Sequence, residues 1–152
     1  MKVKEYLEQL GTIMDNLERR QEQLEELRLE CCSARAIRYD LDMVQSSGEN
    51  LVEARILRYL DKSQEIEGII AYYLEQKNKL IGQIEELAED PGDKANANYA
   101  KLLYKRYVER KKFEMIAREM GYDFGYVRRM HGKALRAFWR MHLRESQEVT
   151  FS

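Results

Sequence analysis

The chain is poor in the residues that interrupt, cross-link or catalyse. Pro91 is its only proline in 152 residues, so long helices can run unbroken on both sides of it. The only cysteines, Cys31 and Cys32, are adjacent. That is poor geometry for a mutual disulfide and no framework for a secreted domain, so two semi-buried thiols in a reducing compartment are expected. No apolar run approaches the roughly 20 residues that span a bilayer, so no membrane partner is expected. The opening "MKVKEYLEQL" has charges where a signal peptide carries its apolar stretch, which argues against export. His131 and His142 have no evident third ligand, and no phosphate loop or nucleophile motif is present. We therefore expect no enzyme, no catalytic residue, no metal and no cofactor.

Charge is abundant, at 35% of residues. With many Glu, Leu, Lys and Arg, it predicts an all-α protein. The net charge of −1 hides a division at Pro91. Residues 1–90 carry 12 basic against 20 acidic side chains, a balance of −8, and residues 91–152 carry 14 basic against 7 acidic, a balance of +7. Such asymmetry hints at a nucleic-acid partner for the basic half. The stretch "EDPGDKANAN" (89–98) joins a Pro-Gly pair to small polar residues. It places a linker at 91–98, between an arm at 1–90 and a basic domain at 99–145.

The arm reads as two long helices. Val3, Tyr6, Leu10, Ile13, Leu17, Arg20, Leu24, Leu27, Cys31 and Ala34 recur in steps of three and four, as a coiled-coil seam does. Val52, Ile56, Tyr59, Ser63, Ile66, Ile70, Tyr73, Lys77, Leu80, Ile84 and Leu87 do the same. Between them, Ser46 and Glu49 have the spacing of a capping box for the second helix. Near-equal lengths and a short join favour a long antiparallel helical hairpin; an intermolecular coiled coil stays open. Arg20 and Lys77 interrupt the seams, either reaching out to carboxylates or fixing register.

The basic half has the spacing of a helix-turn-helix. Phe113 to Met120 forms the first helix, with Met115, Ile116 and Met120 apolar and Ala117 small enough for a close crossing. Gly121 ends it in a left-handed conformation, Tyr122 packs in the turn, and Asp123 caps the next helix. That helix buries Val127, Met130, Ala134 and Phe138, at spacings of three, four and four. A helical wheel turns Gly125, Tyr126, Arg129, Gly132, Lys133 and Arg136 outward, with Arg128 at the border. Tyr126, Arg129 and Lys133 on that face suit base edges, since Arg bonds guanine bidentately. Lys105, Arg106, Arg110, Lys111, Lys112 and Arg136 are candidates for phosphate, which sets affinity rather than sequence choice. Gly125 and Gly132 each cost about 1 kcal/mol of helix stability relative to Ala, a cost that suits close approach to a DNA backbone. His131 falls on the inward side as a packing residue, and Phe138 with Trp139 belongs to the core.

From Tyr99 to Phe138, "LLYKRYVERKKFEMIAREMGYD" and "VRRMHGKALRAF" resemble region 4 of sigma-70-type RNA polymerase sigma factors, which reads the −35 promoter element. With the heptad arm and "VQSSG" (44–48), the chain is similar to small phage and prophage proteins of Gram-positive bacteria, the sigma-70-like or ArpU/RinA-type regulators of late genes. The resemblance implies a long helical hairpin followed by a region-4-like helix-turn-helix domain that binds double-stranded DNA in the cytoplasm of a bacterial host, and it places base reading on Tyr126, Arg128, Arg129 and Lys133. It departs from the pattern at Arg110, where a glycine is usual between two helices, and at Met115, which replaces a common glutamate. Nothing resembles region 2, so an accessory regulator is expected rather than a complete sigma factor. Host RNA polymerase, and a second copy of the chain through the coiled coil, are further candidate partners. The alternatives are a small terminase-like packaging protein and a coiled-coil adaptor.

Overall fold

The computed structural model describes residues 2–47 and 51–144, and every regular element in them is helical. Helix α1 (Val3–Cys32) is followed by α2 (Ala34–Ser47) and the 39-residue α3 (Leu51–Glu89). Three shorter helices complete the chain: α4 (Asn96–Leu103), α5 (Phe113–Met120) and α6 (Phe124–Phe138). Both α4 and α6 widen at their ends into a π-helical turn, at Tyr104–Val108 and Trp139–Leu143. At about 1.5 Å per residue α3 is close to 60 Å long, as the heptad spacing predicts. The first long helix is instead divided at Ser33. Ser46 lies within α2, and Glu49, its capping partner in the sequence, lies outside the described residues.

The chain forms two compact units, residues 1–14 with 76–152, and residues 15–75. The arm-to-domain boundary expected at 90/91 falls inside the first of them. In that unit the start of α1 and the end of α3 pack together, with the Tyr6 hydroxyl donating to Gln83 at 2.8 Å. Val3, Leu7, Leu10, Leu80, Ile84 and Leu87 join Leu103, Tyr107, Leu135 and Phe138 in one core. Leu7 lies off the heptad seam and is still fully buried, because here α1 meets the C-terminal helices as well as α3. The stretch expected as a linker is a closed turn. Asp90 accepts from the Gly92 amide and the Asn96 side chain, Asp93 accepts from the Ala95 amide, and α4 starts at Asn96. Asx turns of this kind give the backbone local partners and leave it little freedom.

In the second unit, the Cys31 thiol lies 3.7 Å from the Arg55 carbonyl and the Arg55 guanidinium donates to the Glu30 carbonyl. Residues late in α1 therefore meet residues early in α3, whereas Tyr6 meets Gln83, which is the pairing of an antiparallel hairpin. Leu17, Cys31, Ser63 and Ile66 are buried along the seam, and the Ser63 hydroxyl donates to the Leu60 carbonyl. Ile56, assigned to the seam by its spacing, is exposed. Arg20 is half-buried and donates to the Gln23 side-chain amide oxygen.

Candidate nucleic-acid interface

The surface of interest is built on α5, the turn after it, and α6. Ile116 and Ala117 of α5 pack against Val127 and Met130 of α6, with Leu102 of α4 closing the cluster. Gly121 ends α5 at φ +76°, where a residue without a β-carbon is least strained, and its amide bonds back to the Ala117 carbonyl. The Asp123 carboxylate then accepts the Tyr126 amide at 2.7 Å and caps α6. Glycine turn, acidic cap and buried apolar spacing all stand as the sequence predicts. Two positions differ. Met115 is exposed at 44%, outside the cluster that Ile116 and Ala117 form with α6, and Tyr122 is exposed with its ring 4.7 Å from that of Tyr126 instead of packing into the turn.

With its inner face buried, α6 presents Tyr126, Arg128, Arg129, Lys133 and Arg136 to solvent. None of Arg128, Arg129 and Lys133 is held in an ion pair among the described residues. Lys133 and Arg136 line a hollow of about 390 Å³ together with Arg140, Asp90 and Asp93. Neither glycine on this face is required by its surroundings. A β-carbon at Gly132 would meet nothing within 4 Å, and one at Gly125 would make only ordinary contacts with Arg129 and Asp123.

The cations before α5 are placed differently. Lys105 and Lys111 both grip Glu119, at 2.9 and 2.7 Å, and Lys111 also pairs with Glu109 at 2.7 Å. The two lysines hold the Glu119 carboxyl below its ordinary value, while Glu109 and then Glu119 push Lys111 upward. The Arg106 guanidinium lies 4.4 Å over the Phe113 ring and donates to the Lys111 carbonyl. Arg110 adopts φ +57° and donates to the Gly11 carbonyl. A side chain is strained in that left-handed region. Lys112 is exposed at the start of α5. Of the remaining phosphate candidates, Lys112 and Arg136 are both exposed.

Beneath the exposed face, His131 Nε2 lies 2.8 Å from the Tyr107 hydroxyl and its ring meets Phe113 edge-on at 5.0 Å. Burial, then the nearby Arg106 and Lys4 charges, lower His131 to about 4, so it stays neutral as a packing residue. Burial raises the Tyr107 hydroxyl, which remains a donor. At the far end, His142 Nε2 donates to the Gln83 carbonyl at 2.7 Å. Phe138 is fully buried and Trp139 packs against the same core.

Sequence reasoning missed Phe124. It is the first residue of α6, it is exposed, and the Arg128 guanidinium lies 5.6 Å from its ring centre. The signal was its position one turn before Arg128, but an apolar residue at a helix start reads as packing. No helix among the described residues is long and apolar enough to cross a membrane. Comparison with known protein families, with curated proteins and with solved structures gives no match to this chain.

Proposed function

We propose that the protein is a sequence-specific double-stranded-DNA-binding regulator of phage or prophage transcription, acting at promoters through α5 and α6 as a helix-turn-helix similar to sigma region 4. One observation carries the reading. Among the described residues, Arg128, Arg129 and Lys133 hold no ion pair on the outer face of a helix whose inner face is buried, while Lys105, Arg106, Arg110 and Lys111 are engaged by other groups of the chain. A polyanion meets its cations on α6. Gly125 and Gly132 support this, since both weaken the helix and neither is demanded by its neighbours. One such module buries roughly 600–1,000 Å² on DNA. Further affinity would come from host RNA polymerase or from a second copy docked through the arm.

The test is a genome-wide footprint of the tagged protein in its host, beside an Arg129→Ala variant. Sites upstream of late transcription starts, lost in the variant, support a promoter regulator. Enrichment at a single packaging locus supports the terminase-like reading instead. No enrichment for either protein sinks DNA recognition and leaves an adaptor.

A further inference from the structure

Three aromatic rings stand exposed within five residues at the start of α6: Tyr122 at 37%, Phe124 at 41% and Tyr126 at 43%. Tyr122 and Tyr126 cover each other and keep hydroxyls for water. Phe124 has no polar atom to offer, and the cluster of Leu102, Ile116, Ala117, Val127 and Met130 does not include it. Its neighbour on the helix is Arg128, one turn on, with the guanidinium over one face of the ring, 5.6 Å from its centre. Arg129 and Lys133 are exposed on the same helix, and the carboxylate at its start, Asp123, is occupied by the Tyr126 amide. A cationic surface that carries one bare apolar ring fits a polyanion with one apolar feature. In the major groove that feature is the C5-methyl group of thymine, since the other groups displayed there are hydrogen-bond donors and acceptors.

We propose that Phe124 reads the methyl group of a thymine in the major groove, with Arg128 held beside it for the adjacent base pair. The proposal rests on α6 being the DNA-reading helix. It makes Phe124, through a contact that carries no charge and no hydrogen bond, a determinant of sequence choice. Arg128 gains from the same arrangement, because a guanidinium beside a ring loses less freedom when it meets a base. The ring alone supplies no phosphate contact, so its removal should leave the salt dependence of binding unchanged.

The experiment uses the full chain. A preferred duplex is first selected from a random-sequence pool, and each thymine in it is then replaced singly by uracil, which removes only the methyl group. At one position uracil should weaken the unaltered protein about three- to five-fold, the worth of burying one methyl group. Phe124→Ala should bind the thymine site more weakly and be indifferent to that uracil, while Phe124→Leu keeps part of the discrimination. Indifference of the unaltered protein to uracil at every position overturns the proposal and leaves DNA reading intact. So does a Phe124→Ala variant that still discriminates. If Phe124→Ala binds DNA normally but loses a polymerase contact, the ring docks on protein and the proposal also fails. Failure to select any duplex, with no binding even at low salt, removes the reading of α6 and this inference with it.

Discussion

The two compact units share the same pair of long helices and treat them differently. Where α4 and α6 join the start of α1 and the end of α3, residues such as Leu7, Ile84, Leu87, Leu103 and Phe138 fall to 1% exposure or less. Between residues 15 and 75 the same helices bury little beyond their seam, and Leu29, Leu57, Leu60, Tyr72 and Leu74 remain exposed, as do Ile37, Tyr39, Leu41 and Met43 on α2. A heptad seam buries one stripe per helix. Covering a second stripe takes further helices packed on the pair, as α4 and α6 are in the first unit; in the second, α2 leaves Ile37, Tyr39, Leu41 and Met43 exposed. The first unit thus holds α6 on a shared core, and the second leaves apolar side chains exposed.

The sharpest break between them should be thermal. Phe138→Ala removes a fully buried ring from the larger core and should cost about 3–5 kcal/mol, read as a fall in melting temperature. Leu60→Ser removes an exposed side chain and should shift stability by no more than about 0.5 kcal/mol. A larger loss at Leu60, accompanied by a fall in sedimentation coefficient, would show that a second copy covers the arm and would erase the contrast.

Acid should find the first unit through His131. Its folded value is lowered to about 4 from an ordinary 6.5, so the unfolded chain binds more protons between those limits. The contribution is complete above pH 6.5, is lost as pH falls towards 4, and is flat below. Discounted for partial exposure, the loss is on the order of 2–3 kcal/mol. Denaturant titrations across that window should show the slope, and His131→Gln, which cannot titrate, should lack this part of it. A variant with the same pH profile as the parent would assign the acid sensitivity elsewhere.

The contrast between units also explains what the sequence could reveal. The all-α class, the antiparallel pair, Gly121, Asp123 and the buried positions of α6 each follow from spacing or from backbone chemistry within a few residues. The burial of Leu7 and the engagement of Arg110 depend on contacts with residues far along the chain. A list of basic residues cannot separate Lys105, which grips Glu119 fourteen positions away, from Lys133, which does not pair. Side-chain surroundings made that distinction, and they also brought Phe124 into view.

Binding should separate those two kinds of cation. Arg129→Ala should cost about 1–3 kcal/mol at a specific site and little on random duplex if the side chain reads a base. Lys105→Ala removes a charge already neutralised by Glu119, so affinity should change less than about two-fold, with the slope against log salt unchanged. Equal losses for both variants on every sequence would mean that the whole basic half acts as a diffuse phosphate-binding surface.

The smallest effect carries the finest distinction. Gly132 lies mid-helix with open space where a β-carbon would go, so Gly132→Ala meets no internal obstacle. Alanine should stabilise the folded chain by up to about 1 kcal/mol, because the unfolded backbone has less freedom to lose. If DNA backbone approaches α6 at this point, the added methyl group stands in its path, and affinity should fall while melting temperature rises. Opposite signs from one substitution separate a glycine retained for contact from one that is merely tolerated. A variant that is more stable and binds undiminished would move the DNA towards the Phe124 end of α6 and away from Gly132.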